Sequence, residues 1–353
     1  MAMSGFLYNS WYVAAWDHEI VTGQLLSRKI LGQNICFYRS EEGKVVALED
    51  RCCHRWAPLS LGRQEGNAIR CMYHGLKFDP QGACIEIPGQ AQIPDKARVR
   101  SYPVVQSKRW VWIWMGDADK ADPTLIPDTF SLESPEWRMK PGYMHYQANY
   151  LYIIDNLLDF SHLTFVHPDT LGGTEALAGQ RPAIRRMERG VNVERWVLDD
   201  QPAPFHKKVG QFPGDVDRWY IYDFWVPGVL LMDSGVQAAR TGAREGKRHD
   251  ALEFRSCQAL TPETETTTHY FWAVPHNFAL DDASVTDSIY QSVVTAFEED
   301  RRMIEAQQRI VDTAPEGDMV AIVADAALMQ FRSILQRMMH DERTKGGMHD
   351  MAT

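Results

Sequence analysis

Two short stretches decide how this chain is read: Arg51-Cys52-Cys53-His54-Arg55-Trp56-Ala57-Pro58-Leu59 and Cys71-Met72-Tyr73-His74-Gly75-Leu76. Each offers one thiolate and one imidazole at close spacing, Cys52-x-His54 and Cys71-x-x-His74. Each then runs into a Pro or a Gly, the sign of a loop. Two sulfurs and two nitrogens can hold zinc, or a [2Fe–2S] cluster in which two His replace two Cys on one iron. Zinc sites usually pair like with like, as Cys-x₂₋₄-Cys and His-x₃₋₅-His. Here each loop supplies one donor of each kind, which suits the mixed-ligand cluster better. Zinc, and cysteines that merely sit in a core, remain the alternatives. Cys53 is the spacer of the first motif and is not counted as a ligand, and Cys36, Cys84 and Cys257 read as buried small apolar side chains.

Around these loops, residues 11–115 read as β-rich. Apolar runs are broken by turn signals such as Glu41-Glu42-Gly43 and Asp79-Pro80-Gln81-Gly82, and Trp110-Val111-Trp112-Ile113-Trp114 is a run of strand formers. An acidic, Pro-bearing stretch from Asp117 to Pro135 then reads as the connection to a second domain. The remainder mixes helices and strands. A buried helix is expected over residues 151–166, stopped at His167-Pro168. Strands are expected over 218–232 and 266–274, a long amphipathic helix over 285–311, and a frayed tail after Asp341.

The chain has 353 residues, enough for about two domains with real cores. Apolar residues are 44 % and charged residues 24 %, an ordinary globular composition. The net charge of −10 argues against sequence-independent nucleic-acid binding, which needs clustered Lys and Arg. No apolar run approaches the ~18 residues of a membrane helix. The N-terminus carries neither the basic segment nor the apolar core of a secretory signal. A cytoplasmic setting follows, with cysteines reduced or bound to metal and no membrane partner.

A cluster in the first third leaves the rest of the chain to explain. In Asp155-Asn156-Leu157-Leu158-Asp159-Phe160-Ser161-His162-Leu163-Thr164-Phe165-Val166-His167 most other positions are apolar. On a regular helix Asp155, Asp159 and His162 fall within a ~60° arc. A polar stripe on an apolar helix is costly unless its members bind each other or a metal. Two His and a carboxylate on one face of iron leave positions open for O₂ and substrate. The long late helix offers the carboxylate. With Ile289 at zero, Val293, Ala296, Phe297, Met303 and Ile304 span about −40° to 80°, and Asp300 falls at about 20°, inside that apolar arc. Glu298, Glu299, Arg301 and Arg302 are expected to point elsewhere. The structural alternatives are a capping His167, a hydrogen-bonded core His162 and a salt-bridged Asp300.

At this point the chain resembles a known family. Its two loops are similar to those of the ring-hydroxylating and demethylating Rieske oxygenases. Ala57 and Tyr73 stand where respiratory Rieske proteins carry an extra, disulfide-forming cysteine. Asn156, Asp159, His162 and His167 match the Asn/Asp-x-x-Asp-x-x-His-x₄-His motif of the catalytic domains, and Phe297-Glu298-Glu299-Asp300 matches the segment bearing the carboxylate ligand. Trp137-Arg138-Met139-Lys140-Pro141-Gly142-Tyr143 and Ala148-Asn149-Tyr150 resemble the group of vanillate O-demethylases and toluenesulfonate methyl-monooxygenases.

The resemblance implies an α+β fold: an all-β Rieske [2Fe–2S] domain over 7–117, then a helix-grip-like catalytic domain of antiparallel sheet plus helices over 118–353. It implies a cluster on Cys52, His54, Cys71 and His74 and mononuclear Fe(II) on His162, His167 and Asp300. Asn156 would lie near the iron. Asp159 would bond to His162 of its own chain and His74 of the next in a homotrimer, while Asp155 has no assigned role. The implied reaction is monooxygenation of a methyl, methoxy or N-alkyl carbon on an aromatic substrate by O₂, giving a benzylic alcohol, or formaldehyde from a methoxy group. No Gly-x-Gly-x-x-Gly fingerprint is present, so NAD(P)H would act only through a separate flavin/ferredoxin-type reductase, docking near Arg55 and Trp56. Pocket candidates are Trp225, Met232, Ser234, His269, Phe271 and His276. The rival readings are a Rieske electron carrier without oxygenase activity and a zinc-stabilised aromatic-ligand-binding protein.

Overall fold

The computed structural model describes residues 5–172, 175–313 and 319–345. It divides into two compact units. One comprises 8–127 with 261–265; the other comprises the described residues among 5–7, 128–260 and 266–345.

The first unit is built from eleven short strands: β1 (Trp11–Trp16), β2 (Leu26–Ile30), β3 (Gln33–Arg39), β4 (Val45–Glu49), β5 (Arg63–Glu65), β6 (Ala68–Arg70), β7 (Lys77–Phe78), β8 (Cys84–Glu86), β9 (Ser101–Tyr102), β10 (Val104–Ser107) and β11 (Trp110–Trp114). They form three antiparallel sheets, ordered β1-β11-β10, β2-β3-β4-β9 and β5-β6-β7-β8. The five consecutive residues of β11 are all buried, which explains why that run lacks polar alternation. A cluster of Cys36, Tyr38, Leu48, Leu59, Ile69 and Phe78 forms the core beneath the two Cys/His loops.

The second unit is a seven-stranded antiparallel sheet in the order β12-β18-β17-β16-β15-β14-β13. Its strands are β12 (Gly142–Tyr146), β13 (Ala183–Met187), β14 (Gly190–Asp200), β15 (Val216–Trp225), β16 (Val229–Ala238), β17 (Leu252–Thr264) and β18 (Thr267–Ala273). The expected single strand over 218–232 is thus a hairpin, turned at residues 226–228. Its helices are α1 (Tyr150–Leu158), α2 (Leu163–Val166), α3 (Glu175–Gly179), α4 (Pro204–Val209), α5 (Ala283–Thr313) and α6 (Ala326–Lys345). No described helix is long and apolar enough to cross a membrane.

Side chains alternate across a strand, so Tyr220, Tyr222 and Phe224 share one face with Met232, Ser234 and Phe254. The helices cover that face. Phe331 of α6 meets Phe224 at 5.1 Å between ring centroids, and Phe297 of α5 meets Tyr270 at 5.3 Å. The tail expected to fray after Asp341 stays helical through Lys345; residues 346 and 347 lie outside the described chain.

The expected continuous helix over 151–166 is broken. Asn149 caps α1 by accepting from the Leu151 N–H at 2.9 Å. The helix ends at Asp159, whose backbone is extended (φ −123°, ψ 97°) and whose carboxylate accepts from the Ser161 N–H and Oγ, both at 2.9 Å. Asp159 therefore closes one helix and caps the next turn (160–162), and a short α2 follows. The apolar periodicity runs through the break, so periodicity alone did not show it. The Asp-x-Ser capping signature was the available signal.

Candidate metal centres and substrate cavity

The two Cys/His loops are twins in backbone geometry. The Cys52 N–H donates to the Ala57 carbonyl at 2.9 Å and the Trp56 N–H to the Cys52 carbonyl at 2.9 Å. At the same offsets Cys71 N–H donates to Leu76 at 2.8 Å and Gly75 N–H to Cys71 at 2.9 Å. Both turns need a left-handed residue at the fifth position: Gly75 at φ +81° and, at greater cost, Trp56 at +58°. Each loop is braced by a charge. Asp50 accepts from Ser27 Oγ, Ser60 N and Ser60 Oγ at 2.6–2.9 Å. Arg70 donates to the Gly75 carbonyl at 2.7 Å while it pairs with Glu65 and Glu86. Hydrogen bonds from Arg70 and Arg63 hold the Glu65 carboxyl down at about 2.

This geometry puts like donors together. Cys52 and Cys71 are buried, at 2 % and 1 % exposure, while His54 and His74 are exposed with ring centroids 4.6 Å apart. Burial pushes the Cys52 thiol up to about 12, and the Cys71 sulfur beside it adds to the rise. Side by side, the two sulfurs make a soft donor pair, and coordination to a metal would deprotonate both. Among the described residues the four donors do not converge as a single-ion cage does; the sole such group, within 4.8 Å, lies elsewhere. A two-ended set with buried sulfurs and exposed imidazoles fits a mixed-ligand [2Fe–2S] cluster better than tetrahedral zinc. Trp56 is 71 % exposed and Arg55 is exposed beside it. Arg51 lies over the Trp56 ring at 5.1 Å.

The convergent group is His162, His167 and Asp300. Asp300, 4 % exposed, reaches His167 Nε2 at 3.1 Å and His162 Nε2 at 3.5 Å. His162 Nδ1 lies 2.5 Å from the Asp159 carbonyl oxygen and must donate to it, which leaves the Nε2 lone pair for a metal. His167 Nδ1 is 2.7 Å from Glu299 Oε2, which also accepts from Thr170 Oγ1 at 2.7 Å. A carboxylate behind a ligating imidazole fixes its tautomer and raises its basicity. Burial lowers the His162 pKa. Burial also opposes charge on His167, yet Asp300 and Glu299 together raise it. Asn156 Nδ2 donates to Asp300 Oδ1 at 2.9 Å and lies 3.3 Å from His162 Nε2.

The polar stripe resolves into three separate jobs. Asp155 turns away to Arg332 of α6. Asp159 meets His162 through its carbonyl, while its carboxylate caps the next turn. His162 faces the triad. Glu299 does not point elsewhere, and Met303 is 60 % exposed rather than on the buried stripe. Helical projection missed Glu299 because a long side chain at the edge of the arc can reach inward.

Beside the triad opens a cavity lined by Asn156, His162 and Asp300 at one side, by Phe205 and His206 of α4, by Val293 and Phe297 of α5, and by Tyr220, Met232, Ser234 and Phe254 of the sheet. Its wall is mostly aromatic and aliphatic, which suits a small aromatic ligand. Of the six pocket candidates only Met232 and Ser234 line it. His269 bonds with Tyr143 Oη at 2.8 Å, and His276 with the Phe278 carbonyl and Thr286 Oγ1, both at 2.8 Å; Trp225 and Phe271 are not in the lining either.

Comparison with known proteins shows the family of the chain. The model of the vanillate O-demethylase oxygenase C-terminal domain matches residues 146–341, and the Rieske [2Fe-2S] domain matches residues 10–103. The iron-sulfur subunit of the toluene-4-sulfonate monooxygenase system of Comamonas testosteroni is 54 % identical over 341 residues, covering 96 % of this chain and 98 % of its own. The vanillate O-demethylase oxygenase subunit of a Pseudomonas strain is 33 % identical, with 96 % of each chain covered. The crystal structure of dicamba monooxygenase bound to dicamba superposes with a TM-score of 0.87 at 30 % identity, over 97 % of this chain and 100 % of that one.

Proposed function

The chain belongs to the Rieske oxygenases of the vanillate O-demethylase family, and on that premise we propose the substrate, the residue roles and the assembly that follow. It is the oxygenase component of a Rieske non-heme iron monooxygenase, with a [2Fe–2S] cluster, non-heme iron, O₂ as co-substrate and electrons from a separate reductase. The substrate is an aromatic acid of the toluenesulfonate or vanillate kind, attacked at a methyl, methoxy or N-alkyl carbon. The single observation that carries this reading is a two-His, one-carboxylate group within 4.8 Å that opens on an apolar cavity. An electron carrier needs neither, and a zinc-stabilised binding protein needs no triad.

The roles are as follows. Cys52, His54, Cys71 and His74 hold the cluster; His162, His167 and Asp300 hold the iron. When bound, the cluster delivers single electrons and the iron activates O₂. The net reaction takes R–CH₃, O₂, two electrons and two protons to R–CH₂OH and water; a methoxy carbon hydroxylated in this way leaves as formaldehyde. The Asp159 carbonyl and the Glu299 carboxylate fix the two imidazole tautomers. Asn156 holds Asp300 in place by its amide. Residues 7–117 carry the cluster and 118–353 the iron. The chain acts in the cytoplasm as a homotrimer in which Asp159 meets His74 of the next copy. A flavin/ferredoxin-type reductase docks at the exposed Arg55–Trp56 face.

The test is metal analysis followed by turnover. Protein purified under low oxygen should hold about three irons and two acid-labile sulfides per chain. With a reductase it should convert toluene-4-sulfonate to the benzylic alcohol, or vanillate to formaldehyde and the diphenol. Zinc without sulfide, or two irons with no turnover after Fe(II) is added, would overturn the proposal.

A further inference from the structure

One buried cation belongs to neither candidate metal centre. Arg218 lies on β15, on the same face as Tyr220, and is wholly buried. Its Nη2 donates to Asp200 Oδ2 at 2.6 Å, but its Nε and Nη1 find no partner among the described residues. A guanidinium does not lose its proton, so this is a permanent buried charge with two unmet N–H groups. Asp200 is partly open to water, which weakens its hold on the field that Arg218 projects inward.

That field falls on the cavity beside the triad. His206, 5 % exposed, lines the cavity, and burial together with the Arg218 charge drives its pKa down to about 3. Its ring is therefore neutral at ordinary pH and has one N–H to give. Tyr220 and Ser234 also line the cavity and are direct cross-strand partners. His206 Nδ1 is buried and has no partner among the described residues. These donors are set back from the triad by Phe160, whose ring is 6.5 Å from that of His162 and 5.8 Å from that of Tyr220.

We infer that Tyr220, Ser234 and His206, with Arg218 behind them, form an oxyanion subsite that takes the sulfonate or carboxylate of the aromatic substrate and points its reactive carbon at the triad. The hydroxyls and the imidazole touch the ligand; Arg218 acts through its charge and does not line the cavity. This deepens the proposed monooxygenase reading by making the anionic head group the determinant of specificity.

The experiment measures equilibrium binding by calorimetry on the iron-loaded, oxidised protein. The probes are toluene-4-sulfonate and 4-methylbenzoate, each against its neutral isostere, toluene-4-sulfonamide and 4-methylbenzamide. The wild type should favour the anions by at least about tenfold, and the tighter anion identifies the head group. Arg218→Met should cut that preference about tenfold and move amide binding less than about threefold. Because a core Arg variant can fail to fold, Tyr220→Phe and Ser234→Ala provide a second arm. Each should weaken anion binding about fivefold and leave the amides unchanged. Equal binding of anion and amide in the wild type, or equal losses of both in the variants, overturns the subsite. Preference for the anion without hydroxylated product keeps the subsite and overturns the monooxygenase reading. Hydroxylation without anion preference does the reverse.

Discussion

In the candidate cluster site each donor lies two or three residues from its partner, in loops whose hydrogen bonds repeat at the same offsets. In the triad His162 and His167 meet a carboxylate that arrives on another helix. The first site is made by backbone turns and is finished once two loops are braced. The second exists only when α5 packs against the end of α1 and α2. The difference teaches where each site is vulnerable. A loop site tolerates changes in the helices, and a packed site depends on side chains that never touch the metal.

The largest effect should come from separating the two. His167→Ala should lower iron from about three to about two per chain and turnover by at least about a thousandfold, with sulfide and the visible spectrum of the cluster unchanged. Cys71→Ser should do the reverse, removing sulfide and colour and leaving about one iron. Metal analysis and absorbance read both. Loss of both centres in either variant would break the contrast between an autonomous loop site and an autonomous packed site.

A smaller effect isolates the packing. Glu299 binds the far nitrogen of His167 and is not itself in the triad. Glu299→Gln should loosen iron about 10–100-fold, measured by retention during dialysis against a chelator, with no change in the cluster. Unchanged iron retention would mean that Thr170 and the helix end orient His167 unaided.

What the sequence made legible follows the same division. Two Cys/His spacings announce the cluster loops because the geometry is local. The triad was legible only in its extremes: His162 and His167 by their neighbours, Asp300 by sitting inside an apolar arc. The break at Asp159, Glu299 beside His167 and Arg332 beside Asp155 were not, since each depends on a reach or a turn that periodicity does not encode. The pocket wall was legible at only two of six candidates, Met232 and Ser234. Side chains alternate along a strand, so Trp225 faces away from Phe224, and His269 and Phe271 face away from Tyr270, which packs on Phe297 of α5.

The smallest expected effect tests whether the two loops are truly equivalent. Gly75 has φ +81°, and a Cβ there would lie 2.7 Å from Pro88 Cγ. Gly75→Ala should therefore cost about 1–3 kcal/mol, from left-handed strain and the clash together. Trp56 fills the same turn position at φ +58° with a side chain that is 71 % exposed and lies under the Arg51 guanidinium. Trp56→Gly removes strain worth roughly 0.5–1 kcal/mol and forfeits an exposed cation–π contact of similar size, so stability should barely move. Cluster bleaching during thermal unfolding reads both variants. With stability matched, the effect of Trp56→Gly should appear in reductase-driven turnover and vanish when dithionite supplies the electrons. A Trp56→Gly variant as unstable as Gly75→Ala would mean that the tryptophan holds its loop together, and the exposed face would lose its claim to be a docking surface.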